Sequence, residues 1–237
     1  MVSGRPYALG AVAPRAAGLV QAFFPGEEGG PAIAGVLSGR LCPSGKLPVQ
    51  VPRDPGGSPG TYLQPPLGSA SSAGISSLDP TPLFAFGHGS SYTRFELGEL
   101  HLDATEVPTD GEVVATVRVT NVGPRAGDEV VQLYLHDPVA EVARPERQLV
   151  GFARVGLEPG ASADVAFRVH ADRTSYTGRA MRRIVEPGLV ELHAGTSVAD
   201  TPTSAQLRLV GATRTVGHDR CLTTPVTVTP LDGASDG

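Results

Sequence analysis

Residues 113–120 read VVATVRVT, in which valine or alanine occupies every second position from Val113 to Val119. Side chains of a β-strand point alternately to its two faces, so this period predicts a strand with one apolar face. Residues 121–124, NVGP, then supply the Asn, Gly and Pro that are typical of a turn. The stretch therefore predicts one strand of a half-buried antiparallel sheet.

The same alternation recurs further along the chain, at residues 131–135, 163–169, 190–194 and 207–209. Two Glu-Pro-Gly turn signals, at 158–160 and 186–188, separate the runs. About six or seven short strands over roughly 115 residues are typical of an antiparallel β-sandwich. We therefore predict a sandwich over 97–211, followed by a polar tail over 212–237 in which 226–228 can add an edge strand.

The N-terminal region of the chain has a different pattern of apolar residues. Residues 15–24 show a helix-type apolar stripe, residues 31–38 predict a second short helix that begins at a proline, and residues 47–51 predict a short strand. An α/β layer needs a parallel sheet on which to bury its helices. We therefore interpret residues 1–53 as the last piece of a domain whose sheet is missing, and residues 54–96 as a linker and bridge rich in Pro, Gly and Ser.

The charge balance argues against two classes of partner. The formal net charge is −5 with one lysine, Lys46, whereas a nucleic-acid surface would show clustered basic residues. Apolar runs stay well short of the roughly 18 residues that a membrane span needs. We expect neither nucleic acid nor membrane as a partner. The absence of a visible leader peptide slightly favours the cytoplasm and leaves the location unknown, since a fragment need not carry one.

Cysteine and histidine spacing predicts no metal site. Cys42 and Cys221 are far apart and lack a CxxC spacing, and the six histidines are scattered. Two free thiols are the favoured interpretation, with a disulfide as the alternative.

Several segments, in fixed order, resemble one enzyme family. Residues 19–52 contain a Pro-Gly-x-Glu-Gly-Gly turn, an Ala-Ile-Ala helix and a Pro-Ser-Gly-Lys-Leu-Pro turn, and residues 82–95 read PLFAFGHGSSYTRF. These resemble the end of the α/β sandwich domain of family 3 glycoside hydrolases and its bridge to the last domain. Motifs such as GDEVVQLY at 127–134 and LVGF at 149–152 resemble the family's fibronectin type III-like domain.

The resemblance implies a mostly β fold, in which a fibronectin type III- or immunoglobulin-like antiparallel sandwich follows a partial α/β segment. It also implies hydrolysis of terminal β-linked glucose or xylose, with two carboxylates acting as nucleophile and acid/base and with no cofactor. In the family both belong to regions upstream of the segments matched here. We therefore expect no catalytic residue in this chain, and its status as an enzyme stays uncertain.

Four residues are candidates for a cleft wall or a domain interface. Glu27 and Glu28 lie beside the predicted second helix, where helix-end electrostatics is the favoured interpretation and a place near the cleft the alternative. His88 and Tyr92 lie in the bridge, in which a glycine stands on each side of His88. A role at the boundary between the two domains is favoured there over contact with a sugar. Asp128 and Glu129 are interpreted as a solvated strand entry.

Three hypotheses about function follow. The leading one is the structural, accessory C-terminal portion of a β-glycosidase, which acts on β-linked oligosaccharides only within the full enzyme. The second is a standalone β-sandwich that binds carbohydrate or protein. The third is one half of a split glycosidase, which docks the missing N-terminal catalytic domains in trans.

Overall fold

The computed structural model describes residues 1–58, 60–65 and 79–231. Within those ranges the chain forms one α-helix, α1 (Gly29–Leu37), three short 3-10 turns (Ala13–Arg15, Pro55–Gly57 and Ala171–Thr174) and twelve strands. The strands are β1 (Phe95–Leu102), β2 (Glu106–Pro108), β3 (Glu112–Asn121), β4 (Gly127–His136), β5 (Gln148–Leu157), β6 (Ser162–His170), β7 (Tyr176–Thr177), β8 (Arg183–Val185), β9 (Gly188–Gly195), β10 (Thr203–Val210), β11 (Arg214–Thr215) and β12 (Val226–Leu231). The fold is mostly β, as predicted.

Two large sheets form the sandwich. One has the strand order β1-β3-β6-β12, and the other has the order β2-β10-β9-β4-β5. Pairing is antiparallel except between β2 and β10. Strands β7, β8 and β11 form a small third sheet at one end.

The core lies between the two large sheets, and the predicted inward positions of five strands supply much of it. Buried side chains from those strands are Val113, Ala115, Val117, Val119, Val131, Leu133, Leu135, Ala163, Val165, Phe167, Val169, Val190, Leu192, Ala194, Leu207 and Leu209. Burying an aliphatic side chain of this size contributes about 1.5–3 kcal/mol. The alternation that predicted these strands is therefore confirmed as the pattern of the core.

Strand β4 departs from simple alternation because both of its faces are covered. Gln132 and Tyr134, on the face opposite to Val131 and Leu133, are also buried. The preceding segment lies over that face, where the Gln132 amide donates to Gly87 O at 3.2 Å. An alternation of apolar side chains indicates one buried face only, so it cannot show that another segment of the chain covers the opposite face.

The predicted helix over residues 15–24 is wrong. Only Ala13–Arg15 forms a helical turn, and the chain then runs extended beside its own N-terminus. Ala22 N donates to Met1 O at 2.9 Å, and Ser3 N donates to Ala22 O at 3.2 Å. The backbone groups thus find partners in a parallel bridge, which suits the β-branched and aromatic residues of this segment better than a helix does.

The second predicted helix is present as α1, and it begins at Gly29, two residues before the predicted start. Residues 47–51 run extended against 83–88, yet they form only an isolated bridge between Val51 and Phe84. Pro48, which has no backbone N–H, limits regular pairing there.

The C-terminal stretch contributes two strands beyond residue 211. Strand β12 pairs with β6 from Val226↔Phe167 to Leu231↔Ser162, and β11 pairs with β8. The edge strand that the sequence allowed at 226–228 is therefore present and longer. The domain boundaries at 53/54, 96/97 and 211/212 stay predictions.

Candidate functional site

Three segments meet on the outer side of the sandwich, and we call their contact the seam: residues 42–47, 83–92 and 127–136. Near its centre, Lys46 Nζ lies 2.7 Å from Glu129 Oε1 and donates to Gly89 O at 3.1 Å. The two charged side chains are only 12% and 9% exposed. A buried ion pair needs its partner, because an unpaired charge in the interior is costly. The single lysine of the chain therefore joins the three segments.

A second cluster of the seam surrounds Gln132. Its Nε2 donates to Gly87 O at 3.2 Å and to Thr196 O at 2.5 Å, while Tyr134 OH donates to its Oε1 at 2.5 Å. Gly87 has φ +81°, and a Cβ there would lie 2.3 Å from Gln132 Oε1. Only glycine satisfies both the left-handed backbone and the close approach. Burial raises the pKa of Tyr134, which keeps its hydroxyl protonated as a donor.

The aromatic rings of residues 62 and 84–88 stack on one another, and one hydrogen bond joins them to the sandwich. The rings of Tyr62 and Phe86 stack with centroids 4.0 Å apart, and Phe84 stacks on His88 at 5.1 Å. Tyr62 OH accepts a hydrogen bond from Leu149 N at 3.3 Å, which ties this segment to β5. Offset or parallel ring pairs of this kind add about 0.5–1.5 kcal/mol to their burial.

His88 lies at the surface of the seam. Its backbone oxygen accepts from Leu47 N at 2.9 Å, and its ring stacks on Phe84. Partial burial and the charge of Lys46 lower the pKa of His88 below its usual range. The imidazole is therefore neutral around pH 7, which fits a stacked ring at a boundary.

Tyr92 connects α1 to the sandwich. Its hydroxyl donates to Val36 O at 2.8 Å, and the guanidinium of Arg125 lies 5.7 Å from the centre of its ring. Arg125 Nη2 donates to Gly39 O at 3.0 Å, just after the helix. Tyr92 and Arg125 thus hold the C-terminal end of α1, whose last carbonyl groups have no partner within the helix.

Glu27 and Glu28 lie on the surface at the N-terminal end of α1, apart from the seam. Glu28 occupies the capping position but makes no side-chain capping hydrogen bond. The two carboxylates are adjacent in sequence on one turn, so they do not face each other across a cleft.

The interpretation of Asp128 and Glu129 as a solvated strand entry holds for the first and is wrong for the second. Asp128 forms an exposed ion pair with Arg154, at 2.5 Å. Glu129 is buried against Lys46. The isolated lysine was the available signal, but its partner lies 83 residues away and only the fold brings the two together.

Arg144 lies within the sandwich rather than at the seam. Its guanidinium lies 4.6 Å from the centre of the Tyr176 ring, its Nη2 donates to Thr174 O at 3.1 Å, and its Nε is 3.5 Å from Asp137 Oδ2. Burial raises the pKa of Asp137, an effect that the Arg144 charge opposes.

No group of three or more potential metal ligands clusters among the residues that the structure describes. Within the same ranges of the chain, no helix has the length and apolar character needed to cross a membrane. Cys42 and Cys221 are free thiols. The polar groups of the seam bond to one another, and these bonds hold its three segments together.

Comparison with known proteins gives two family matches. The model of the glycosyl hydrolase family 3 C-terminal domain matches residues 1–92, and the model of the fibronectin type III-like domain matches residues 129–198. Both agree with the resemblance found in the sequence.

Curated relatives carry the same two regions. A β-xylosidase of Formosa agariphila is 38% identical over 198 residues, which cover 83% of this chain and 27% of that protein. A periplasmic β-glucosidase of Salmonella typhimurium is 35% identical over 207 residues, with 84% and 27% covered. The chain thus spans about a quarter of the length of these relatives.

Solved structures agree with the fold. A β-glucosidase of Erythrobacter marinus superposes with a TM-score of 0.82 at 38% identity, over 88% of this chain and 27% of that one. A β-glucosidase of Listeria innocua, solved in complex with glucose, gives 0.82 at 30% identity, over 89% and 30%.

Proposed function

The chain carries the C-terminal domain of glycosyl hydrolase family 3 followed by a fibronectin type III-like domain, and from this premise we propose that it is the scaffold portion of a β-glycosidase. The reaction of the whole enzyme would be hydrolysis of terminal β-linked glucose or xylose. The nucleophile and the acid/base would come from upstream catalytic domains, and this chain would hold the α/β segment in place.

One observation carries the proposal: residues 1–53 have almost no core of their own. Leu9 and Val51 are the two hydrophobic side chains buried there. Nine large hydrophobic side chains in the same segment are exposed: Met1, Val2, Tyr7, Val12, Leu19, Phe24, Leu37, Leu41 and Val49. We call these nine residues the apolar face. Extensive exposed apolar surface is typical of a protein–protein contact.

The geometry of the backbone supports the same partner. Residues 1–3 and 20–22 form a single parallel bridge, whereas parallel sheets in proteins are covered on both faces and have several strands. An upstream polypeptide that adds strands and covers the apolar face would complete the layer.

We assign boundary roles to the candidate residues on the same basis. His88 and Tyr92 would keep the α/β segment at a fixed position on the sandwich, which is consistent with their contacts to Phe84 and Val36. Glu27 and Glu28, exposed at the start of α1, would contribute to the wall of a cleft that the upstream domains complete.

The test is a chimera. This chain would replace the matching C-terminal region of the Erythrobacter marinus β-glucosidase, and hydrolysis of 4-nitrophenyl β-glucoside and β-xyloside would be measured. We expect activity from the chimera and none from the 237-residue chain alone. Activity of the chain alone would show that it has its own catalytic carboxylates, and a folded but inactive chimera would refute the scaffold role.

The split-enzyme hypothesis makes a further prediction. If the partner docks in trans, the upstream portion and this chain, expressed separately and mixed, should recover hydrolysis without a covalent link. Recovery only in the fused chimera would favour a single chain.

A further inference from the structure

Strand β12 forms one edge of the four-stranded sheet. Its register with β6, together with the hydrogen bond from Arg168 N to Pro225 O at 2.9 Å, fixes which of its backbone groups face β6. In an antiparallel ladder, residues whose N–H and C=O groups face the neighbouring strand alternate with residues whose groups face away from it. The odd-numbered residues of β12 therefore bond to β6, whereas the backbone groups of Val226 and Val228 point away from the sheet.

These outward backbone groups are unpaired in the part of the chain that the structure describes. Among those residues, no strand lies beyond β12 in its sheet, and no group bonds to the outward side of Val226 or Val228. The strand reads VTVTPL and has no charged side chain. Pro230, which lacks an N–H, also faces outward and limits pairing only near the end of the strand.

The edge of the other large sheet is protected, and this contrast sets β12 apart. Near the start of β5, Val150 O accepts hydrogen bonds from Arg173 Nη2 at 3.1 Å and from Thr224 Oγ1 at 2.5 Å. Further along β5, Arg154 carries a charge and pairs with Asp128. Proteins usually cover or charge a free strand edge, because an uncovered and uncharged edge is a template for another strand. The edge of β12 is therefore suited to pairing.

We propose that β12 pairs antiparallel with β12 of a second copy of this chain, about a two-fold axis at Thr227. This register places Val226 of each copy opposite Val228 of the other, and the two pairs would exchange four backbone hydrogen bonds. The central VTV reads the same in both directions, so the two halves of the contact are equivalent, as a two-fold interface requires. Pro230 lies outside these four bonds, so its missing N–H does not interrupt them.

The apolar side chains of β12 support the same register. Val228 is 38% exposed, although Val165, its neighbour on β6, is buried. Val226 lies on the same face of the strand and packs against the core. In the proposed dimer, Val226 of the second copy would lie beside Val228 and cover its exposed part, and β-branched pairs of this kind stabilise neighbouring strands.

The charges on the outer face of the sheet are complementary in this register. Thr227 and Thr229 are uncharged, so no like charges meet at the axis. On β6, Asp164 lies opposite Thr229, and Arg168 lies opposite Pro225. Two-fold pairing sets Thr229 of one copy against Pro225 of the other. Each row across the dimer then contains Asp164 of one copy and Arg168 of the other, rather than two charges of the same sign, and this complementarity favours a second copy as the occupant.

The inference goes beyond the proposed scaffold function, because it joins two copies through the edge of the sandwich that lies apart from the seam. A contact between two short strands buries less surface than the roughly 1,200–2,000 Å² of a stable interface. We therefore expect a weak dimer, with a dissociation constant on the order of 100 μM.

The first test is sedimentation velocity of the 237-residue chain over a range of concentrations from about 10 to about 500 μM. Thr227→Lys places two ammonium groups opposite each other at the axis and should weaken the dimer by about tenfold or more. Thr213→Lys adds the same charge at an exposed position just before β11 and should leave association unchanged. Unchanged melting temperatures would show that both variants are folded.

The second test is a cross-link at the axis. In the proposed register, the two copies of residue 227 form a non-hydrogen-bonded pair with Cα atoms about 4.5 Å apart, which is within disulfide range. Thr227→Cys should therefore give a covalent dimer with oxidised glutathione on a non-reducing gel, whereas Thr213→Cys should not. Cys42 and Cys221 are present in both variants and give the same background.

A chain that stays monomeric over the whole concentration range would overturn the proposal. So would a dimer that Thr227→Lys leaves as strong as before and that Phe24→Ser abolishes, since self-association would then belong to the apolar face. Equal cross-linking of the two cysteine variants would also contradict the proposed register. These readouts need no catalysis and no upstream domain, so their failure is separate from failure of the chimera.

Discussion

Lys46 shows how one residue can join distant regions of a chain. Its ammonium group bonds at once to Glu129 on β4 and to the backbone of Gly89. Gln132, further along the same strand, has a similar role, since its amide bonds to Gly87 and Thr196. These contacts decide where the N-terminal segment sits on the sandwich, and each uses a polar group that is shielded from water.

Breaking the Lys46–Glu129 pair should destabilise the protein strongly. Lys46→Met leaves a buried carboxylate without its partner, so we expect the free energy of unfolding to fall by about 3 kcal/mol in urea titrations. Combining it with Glu129→Leu should restore some of that loss. Arg118→Gln breaks the exposed pair with Asp164 and should change little. Equal losses in Lys46→Met and Arg118→Gln would contradict a buried seam.

His193 should make stability depend on pH. Its side chain is 12% exposed, and burial together with the charge of Arg147 lowers its pKa, which Glu191 opposes. The unfolded chain therefore takes up a proton at higher pH than the folded chain does. Stability should fall as pH drops below about 6.5, until the pH lies below the folded pKa.

Urea midpoints measured between about pH 5 and pH 8 would check this. His193→Gln should flatten the dependence, although His88, whose pKa is also lowered, keeps some of it. His101→Gln, at an exposed position on β1, serves as the control. A slope unchanged by His193→Gln would refute the assignment.

At the scale of helices and strands, backbone hydrogen bonding determines the conformation of segments whose pattern of apolar side chains fits more than one. Residues 15–24 have apolar residues at helical spacing, yet Ala22 pairs with the N-terminus and the segment is extended. Residues 226–231 lie in the stretch that the sequence predicted as a tail, and they form β12 because β6 offers them a free edge. The extended path of residues 15–24 is not visible in the local sequence, whereas the sequence indicated the first part of β12 at 226–228.

Removing β12 should therefore weaken the sandwich. Val226 packs against the core, and the strand satisfies one edge of β6. A chain that ends at Pro225 should melt about 5–10 °C lower than the full chain in circular dichroism. A chain that ends at Leu231 is the matched control and should melt like the full chain. Equal melting of both truncated chains would show that β12 adds nothing.

At the scale of the whole molecule, the two halves are held in different ways. The sandwich has a continuous core of buried aliphatic residues. The N-terminal segment contacts the sandwich through the seam, and the side chains of its apolar face are exposed to solvent. This difference supports our proposal that the sandwich can fold alone and that the N-terminal segment docks on a partner.

Variants of the apolar face should separate docking from folding. Phe24 and Leu37 are 84% and 70% exposed, so Phe24→Ser and Leu37→Ser should leave the melting temperature of the chain nearly unchanged. In the chimera, the same changes should lower stability or hydrolysis, because apolar contacts with the upstream domains are lost. Leu222→Ser, at a 58% exposed position of the sandwich, is the matched control. Equal effects of all three would refute the docking surface.

The sequence by itself determined the sandwich, its inward-facing residues and the resemblance to family 3. A period of two with one apolar face is a local property, and each strand carries it independently of its neighbours. The motifs around residues 25–48 and 82–95 were recognisable for the same reason. The helix α1 was also recognisable, because Pro31 lies in its first turn and Gly39 follows its end.

The tertiary structure alone decided which residues meet. Burial of Glu129 against Lys46, the cover over Gln132 and Tyr134 and the extended path of residues 20–22 all join positions far apart in the chain. A polar residue gives the same local signal whether it faces water or a buried partner. Its environment is set by what packs against it, and that is fixed only when the chain folds.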